Sequence, residues 1–427
     1  MKENDIKFIF AKYVSLNIMG MIGLSCYILA DTFFVARGVG ADGLTSLNLA
    51  IPIYSFINGM GLMIGMGGAT RFTISKSNRI FTQGIYYGLF AAILFLTMGI
   101  FFSKQLAILL GADKVTLYNT AIYLKVILCF APMFLLNNII LCFVRNDNNP
   151  KLSMMAMLLG SFSNIILDYI FVFPLKMNMF GAALATGIAP IISLIILSTH
   201  FIKKRNSFRL LREKLEIKSI VDISSLGAPS LITEVSSGIV MIIFNIIILK
   251  ISGNMAVAAY GIIANIALVV ISIFTGISQG MQPILSDCYG MKNNENLKTV
   301  LKYGFITATV IAIFVYGTTI IFDDPIIAAF NKDGNLYLAS VAKDGLHIYF
   351  IGFLFVGINI LSATYFASTD NPTKAFIISF CKGFAVIIPM VFILSALFGI
   401  KGVWMSMPCA ELFVLLICIN MLKNINK

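Results

Sequence analysis

The chain has 427 residues, of which 59% are hydrophobic and only 12% are charged. Soluble globular proteins are about 45–50% apolar and about 25% charged, so this composition excludes a soluble enzyme, a disordered chain and a secreted disulfide scaffold. The net charge of +12 is typical of loop lysines at a membrane surface, and we expect membrane lipid and no nucleic acid as a partner. The seven cysteines lack CxxC spacing and mostly fall in apolar runs, which indicates small buried side chains rather than a metal site.

Twelve apolar runs are long enough to cross a bilayer. A helix needs roughly 20 apolar residues to span the hydrocarbon core, because lipid offers no hydrogen-bond partner to the backbone. The runs cover residues 8–36, 43–70, 80–102, 117–143, 151–174, 180–202, 219–250, 255–285, 297–322, 340–368, 373–397 and 401–422. We therefore predict an all-α integral membrane protein with twelve transmembrane helices, called spans 1 to 12.

Lys and Arg are distributed unequally between the two sides of these spans. The termini and the loops after even-numbered spans carry 21 of the 31 basic residues, and the other loops carry 9. Positively charged loops stay in the cytoplasm, so we expect both termini inside. The basic segment 203–218 is then a cytoplasmic linker between an N-lobe, residues 1–202 with spans 1–6, and a C-lobe, residues 219–427 with spans 7–12.

The two halves of the chain resemble each other. FVRNDNNPKLSMMAM (143–157) matches YFASTDNPTKAFIIS (365–379), GAALATGIAP (181–190) matches GVWMSMPCAE (402–411), and GADGLTSLNLAIP (40–52) has a weaker counterpart in GNMAVAAYGIIAN (253–265). With six spans per half, equivalent segments keep the same orientation, so the repeat is parallel, about an axis along the membrane normal. Duplication can simply build a large bundle, but two lobes about a central cavity favour a transporter over an enzyme.

Polar residues interrupt the apolar runs of the N-lobe. Asp31 lies more than 20 residues into span 1, Asp168 lies in span 5 four residues after Asn164, and Thr186 lies in span 6. An ionisable group in hydrocarbon costs about 2.5–3.5 kcal/mol on insertion scales, so it indicates a function or a nearby interface. The four-residue spacing places Asn164 and Asp168 on one helix face.

These oxygen-bearing side chains form a set that suits a hard cation, and two carboxylates in a low dielectric hold a proton or a cation between them. We therefore predict an ion-coupling site. Two other interpretations stay open: Asp31 could face the headgroups at the end of span 1, and Asp168 could only join helices through hydrogen bonds.

The C-half has a different polar set, Glu234 in span 7, Lys382 in span 11 and Glu411 in span 12. One hypothesis is an internal ion pair that fixes helix packing, with Lys382 compensating one acid, and the other is a second coupling site. The repeat counterparts of Asp31, Asp168 and Thr186 are Phe244, Pro389 and Met407. The N-lobe cluster is therefore not a feature that both lobes share.

Five segments occur in order with characteristic spacing: YILADTFFVARGVGADGLTSLNLAIP, the turn at 145–150, SNIILDYIFVF, FGAALATGIA and SQGMQPILSDCYGMKNNENLKTVLKYG. Together they resemble the MATE (multidrug and toxic compound extrusion) family, most closely its prokaryotic DinF-like and MepA-like branch. The resemblance covers residues 8–423. It implies a V-shaped pair of six-helix lobes in a prokaryotic cytoplasmic membrane, which export small organic cations and other amphipathic drugs in exchange for Na⁺ or H⁺.

The resemblance also implies roles for individual residues. Asp31, Asn164, Asp168 and Thr186 fall on the cation site of the DinF-like branch, where Na⁺ or H⁺ would bind, and Asn138 is the nearest match to its polar residue in span 4. Glu234 falls on a span-7 Glu that joins a C-lobe cation site in the NorM-like branch. That branch also uses an Asp within span 10, whereas the nearest one here, Asp370, lies in the following loop.

The sequence thus predicts a secondary multidrug antiporter that needs no cofactor beyond its coupling ion and works as a monomer. A flippase for a lipid-linked oligosaccharide of the same superfamily is the alternative, although such flippases tend to have more spans or a cationic cavity. A membrane-embedded transferase would need convergent catalytic groups at one interface, and the sequence shows none. The choice between Na⁺ and H⁺ stays open, because carboxylate sites serve either ion.

Overall fold

The structure is a computed structural model that describes residues 3–331 and 335–423. Every regular element in these two ranges is a helix. The α-helices are α1 Glu3–Gly38, α2 Ala41–Ser75, α3 Asn78–Leu109, α4 Leu117–Cys129, α5 Ala131–Asn146, α6 Pro150–Val172, α7 Asn178–Ile202, α8 Ile217–Gly290, α9 Asn294–Ile321, α10 Asp323–Phe330, α11 Leu336–Tyr349, α12 Phe353–Ser368, α13 Pro372–Phe380 and α14 Ile387–Lys423. A 3₁₀ turn, Phe350–Gly352, joins α11 to α12, and a π-helical turn, Cys381–Ala385, follows α13.

These helices account for the twelve predicted spans. In the described ranges, nine helical stretches are long and apolar enough to cross a membrane, and the pair α4 and α5, bent by 47°, forms a tenth. Two of the nine, Ile217–Gly290 and Pro372–Lys423, are 74 and 52 residues long, so each is long enough for two crossings. Dividing both at their internal breaks gives twelve, which confirms the predicted number.

Glycine makes the break in each of the two long stretches. Gly253 has φ 73° and ψ −171°, and Gly399 has φ 58° and ψ −135°. A side chain would strain the backbone at such positive φ values, whereas glycine adopts them readily. Span 7 therefore ends and span 8 begins at Gly253, and Gly399 separates span 11 from span 12 in the same way.

The backbone repeats the turns that the sequence comparison aligned. Gly40 and Gly253 have φ 89° and 73°, Asn148 and Asp370 have φ 59° and 57°, and Asn178 and Gly399 have φ 50° and 58°. After the second pair of turns, Asn149 and Asn371 stand at the N-termini of α6 and α13, and each is followed by a proline in the first helical turn. The predicted parallel repeat is therefore present in the chain geometry of both halves.

By internal contacts the chain divides into two compact units. The N-unit comprises Ser15–Val235 and Ser286–Lys292, and the C-unit comprises Met1–Val14, Ser236–Leu285 and Asn293–Lys427. This division differs from the lobes predicted at residues 1–202 and 219–427 in three places: the chain before Ser15 groups with the C-unit, and Ser286–Lys292 and the start of α8 group with the N-unit. Its backbone packs directly on α2, where a Cβ on Gly67 would come within 2.0 Å of the Ile223 carbonyl oxygen.

The core of the N-unit is continuous and apolar. Its largest fully buried side chains include Phe143, Phe208, Ile57 and Ile64. Phe81 packs on Phe143 and Phe208 with ring centroids 4.9 and 4.6 Å apart. Burying such rings stabilises the unit by removing apolar area from contact with polar surroundings and by close packing.

The C-unit has an aromatic core of its own. Tyr260 stacks between Phe244 and Trp404, with centroid distances of 5.5 and 6.0 Å, and Tyr349 packs edge-on against Phe244 at 6.3 Å. These rings come from α8, α11 and α14. The counterpart of Asp31 in the repeat, Phe244, therefore lies in an aromatic cluster.

The close contact between α2 and α8 predicts that adding one methyl group at the contact lowers the stability of the protein. A Cβ on Gly227 would lie 1.9 Å from the carbonyl oxygen of Met63, so Gly227→Ala forces the two backbones apart. We expect a loss of about 1–3 kcal/mol, seen as a lower Tm of the purified protein in detergent. Gly261→Ala, also in α8 but with no atom within 4 Å of its Cβ, is the matched control and should be neutral or stabilising. An unchanged Tm for Gly227→Ala would contradict the close packing.

Candidate functional site

Two buried carboxylic acids lie together in the N-unit. Asp31 on α1 is 7% exposed and Asp168 on α6 is fully buried. Their carboxyl groups lie within hydrogen-bonding range of each other. The interpretation that Asp31 faces the headgroups does not fit this position, because its carboxyl group faces another acid inside the protein.

Asn164 and Thr186 complete the predicted cluster. With the Asn164 amide oriented to satisfy its neighbours, its nitrogen donates to Asp168 Oδ2 at 3.0 Å and its oxygen accepts from the Thr186 backbone N–H at 3.2 Å. The Thr186 hydroxyl donates to the Ala182 carbonyl at 3.0 Å. Its hydroxyl proton is thus used within α7, which leaves the oxygen free to accept. The structure therefore brings together the four residues that were predicted from sequence.

The acid pair retains two oxygen atoms that can take a further ligand. Asp31 Oδ1 and Asp168 Oδ1 are buried and have no hydrogen-bond partner among the described residues. A buried polar atom without a partner costs about 1–3 kcal/mol. A monovalent cation or a second proton would relieve this cost, since hard cations take oxygen ligands.

Three tyrosines that the sequence analysis did not single out surround the acids. Tyr27 lies one helical turn before Asp31 on α1, and its hydroxyl is 2.6 Å from that of Tyr54 on α2. Tyr123 of α4 is 3% exposed and its hydroxyl is adjacent to that of Thr186. The only sequence signal for them is the four-residue spacing between Tyr27 and Asp31, which places both on one face of α1.

Asn138, the predicted span-4 member of the cation site, hydrogen-bonds to a second polar cluster in the structure. Its amide nitrogen donates to the Asn58 side-chain oxygen at 2.8 Å, and the Asn58 amide donates to Glu234 Oε2 at 3.2 Å. Asn138 therefore belongs to an Asn138–Asn58–Glu234 chain of hydrogen bonds that joins α5, α2 and α8. Asn138 lies on α5, which begins after the 47° bend from α4.

Lys382 forms an ion pair with Glu411 inside the C-unit. Its ammonium lies 3.9 Å from Glu411 Oε1, and the Asn359 amide donates to Glu411 Oε2 at 2.7 Å. Lys382 lies in the π-helical turn Cys381–Ala385, a widened helical geometry that often occurs at functional positions. These three residues belong to the C-unit, whereas Glu234 groups with the N-unit. The predicted internal ion pair is thus Lys382 with Glu411, and Glu234 accepts a hydrogen bond from the Asn58 amide.

The fold and these sites define a polytopic membrane protein with two repeated halves and buried acids in its interior. A family model named MatE matches residues 17–170 and 229–406, and this match covers most of the chain. The chain therefore belongs to the MatE family, whose members are transporters and not enzymes.

Relatives and solved structures agree with this assignment. The chain is 28% identical over 403 residues to the multidrug export protein MepA of Staphylococcus saprophyticus, a match that covers 90% of this chain and 86% of that protein. MepA of Staphylococcus aureus is also 28% identical over 399 residues, with the same coverage of 90% and 86%. A structure of the MATE multidrug transporter DinF-BH superposes with a TM-score of 0.88 at 25% identity, covering 97% of this chain and 95% of that one. An outward-facing MATE transporter of the MOP superfamily gives a TM-score of 0.88 at 21% identity with the same coverage.

Proposed function

We propose that the protein is a multidrug efflux antiporter that exports small, amphipathic organic cations in exchange for Na⁺ or H⁺. Its relatives are multidrug export proteins by name. The observation that carries the proposal is the buried Asp31–Asp168 pair, because each acid keeps one oxygen without a partner among the described residues. The two unpartnered oxygens can bind and release a monovalent cation, whereas a purely structural polar contact would have its oxygens already hydrogen-bonded.

The proposed mechanism is a difference in ion affinity between two states of the transporter. An ion gradient can bias the two states only if the ion binds one of them more tightly. In the arrangement described here the two carboxyl groups lie within hydrogen-bonding range of each other, and the Asn164 amide donates to Asp168. A state that separates the two carboxyl groups would lose this proximity and change the affinity for the ion. The exported cation would use the opposite reorientation of the two lobes.

A flux experiment tests this function. The purified protein is placed in proteoliposomes and the movement of ethidium is recorded while a Na⁺ gradient and a pH gradient are imposed separately. We expect one of the two gradients to drive ethidium uphill, with return flux of the same ion. Ethidium movement that neither gradient influences would contradict antiport, and transfer of lipid-linked oligosaccharide between leaflets instead would favour the flippase.

We propose that the transporter lies in the bacterial cytoplasmic membrane with both termini in the cytoplasm. The support is the distribution of 21 basic residues on one side and 9 on the other, because positively charged loops stay inside. In addition, we propose that the protein acts as a monomer and without a cofactor.

Cysteine labelling tests the orientation. Arg205 lies in the basic linker and is exposed, so Arg205→Cys in a variant without other cysteines offers an accessible thiol. An impermeant maleimide should label it in inverted vesicles and leave it unlabelled in intact cells. Tyr118→Cys, after span 3 and 74% exposed, should show the opposite pattern. Labelling of the linker from outside intact cells would overturn the orientation.

A further inference from the structure

The linker, residues 203–218, follows a fixed path across the N-unit although most of it is not helical. Side chains of α3 and of the α5–α6 turn bind its backbone at successive points. The hydrogen bonds are Ser207 N to Asp147 Oδ2 at 2.8 Å, Arg209 N to Asn78 Oδ1, Leu211 N to Thr82 Oγ1 and Glu216 N to Gln83 Oε1, each at 2.9 Å, and Gln83 Nε2 to the Lys214 carbonyl at 2.7 Å. Phe208 anchors the segment, because its ring is fully buried in the core of the N-unit.

The charges of the linker are sorted between two sides. Its two acids turn toward the protein, where Arg79 contacts Glu213 Oε2 at 2.9 Å and Glu216 Oε2 at 3.1 Å. Its seven basic side chains are all exposed, and none of them forms an ion pair with the part of the chain that the structure describes. They are Lys203, Lys204, Arg205, Arg209, Arg212, Lys214 and Lys218.

Exposed apolar side chains alternate with these cations. Leu210 is 62% exposed, Leu215 is 53% exposed and Ile217 is 76% exposed. The linker joins the end of α7 to the start of α8 and is bound by the first residues of α3, so it lies at one end of the spans. Cations interleaved with aliphatic side chains at this level match the boundary between phosphate headgroups and acyl chains.

We propose that the linker is a preformed binding site for anionic phospholipid of the adjacent leaflet. Arg209, Arg212 and Lys214 would contact lipid phosphates, and Leu210 and Leu215 would contact the glycerol and the first acyl carbons. Because the backbone is already held by the N-unit, binding orders little of the chain and the interaction keeps most of its strength. A zwitterionic lipid is a weaker ligand, since its choline group repels the same cations. This inference does not depend on the identity of the exported compound or of the coupling ion.

A lipid titration tests the site on the full-length protein in detergent. Fluorescent phosphatidylglycerol is added and its anisotropy is recorded, with phosphatidylcholine carrying the same label as the reference. We expect tighter binding of phosphatidylglycerol, and a loss of affinity on the order of a hundredfold in the variant Arg209→Gln/Arg212→Gln/Lys214→Gln. The matched control Lys292→Gln/Lys298→Gln/Lys302→Gln removes three exposed cations elsewhere and should retain the wild-type affinity.

Three further measurements distinguish binding of a lipid from binding of other anions. Inorganic phosphate at the concentration of the lipid should not displace the probe, and Leu210→Ser/Leu215→Ser should weaken binding of the intact lipid. Added NaCl should weaken phosphatidylglycerol binding to the wild-type protein, a measurement that stands even if the triple variant does not fold. Equal affinity for both lipids, equal loss in the control variant, or full displacement by inorganic phosphate would each overturn the proposal.

Discussion

Asp31→Asn and Asp168→Asn will each abolish the accumulation of an organic cation against its gradient and leave the protein folded. Each change keeps the side-chain volume and removes one ionisable group, so an insertion cost of about 2.5–3.5 kcal/mol disappears and stability should hold or rise. Without a group that releases its proton or cation, the two states of the transporter no longer differ in ion affinity. We expect ion-driven ethidium efflux to fall by about a hundredfold or more, since a gradient cannot bias states that bind the ion equally.

The measurement is ion-driven ethidium accumulation in everted vesicles or proteoliposomes, together with equilibrium binding of ethidium in detergent. Binding should persist in the variants, because it does not require the ion to be released. Thr186→Val is the matched control: it removes a hydroxyl that already donates to the Ala182 carbonyl and keeps both acids, so efflux should fall only a few-fold. A well-expressed Asp31→Asn/Asp168→Asn protein that still concentrates ethidium under an imposed gradient would exclude the pair as the coupling site.

The twelve spans and the acid pair were accessible from sequence because both depend on local patterns. An apolar run of about 20 residues is long enough to form a transmembrane helix. An acid inside such a run is costly to insert, so its presence indicates a functional role. The spacing between Asn164 and Asp168 fixes their common helix face. The repeat was visible because short segments around its turns align in sequence. Two of these segments contain Asn148 and Asp370, which both have positive φ values in the structure.

The partners of Asn138 and Glu234 depend on packing that no local pattern encodes. Asn138 donates to Asn58, which lies 80 residues earlier in the chain, so only the packing of α5 on α2 brings the two amides together. Glu234 meets Asn58 because Gly67 and Gly227 let the backbones of α2 and α8 approach closely. Charge complementarity grouped Glu234, Lys382 and Glu411 as one polar set of the C-half, but it does not specify the amide partners, Asn58 for Glu234 and Asn359 for Glu411.

The tyrosines around the acids could not be predicted from the sequence for a different reason. In a membrane sequence a tyrosine counts as part of an apolar run, so its hydroxyl gives no signal until its neighbours are known. The hydroxyl groups of Tyr27 on α1 and Tyr54 on α2 form a hydrogen bond between the two helices. The same two helices, α1 and α2, also carry Asp31 and Asn58.

Lys382→Met will destabilise the protein strongly, and a second substitution at Glu411 will reverse the loss. Glu411 is 3% exposed, and without the ammonium at 3.9 Å its charge keeps only the Asn359 amide as a nearby donor. Removing one partner of a buried ion pair costs about 3–5 kcal/mol, whereas replacing both partners is often neutral. We therefore expect a large fall in Tm for Lys382→Met and a Tm close to wild type for Lys382→Met/Glu411→Gln.

Efflux by the double variant distinguishes the two hypotheses for this pair. If Lys382 and Glu411 only fix the packing of the π-helical turn against α14, the restored protein should export ethidium at close to the wild-type rate. Lys401→Met is the matched control, because its ammonium lies 3.7 Å from Asp344 and is 65% exposed, where an ion pair contributes about 0–1 kcal/mol. A double variant that folds and binds ethidium but no longer responds to either gradient would instead make the pair a second coupling site. Because the repeat counterparts of the N-half acids are apolar, such a site would have arisen independently in the second half of the chain.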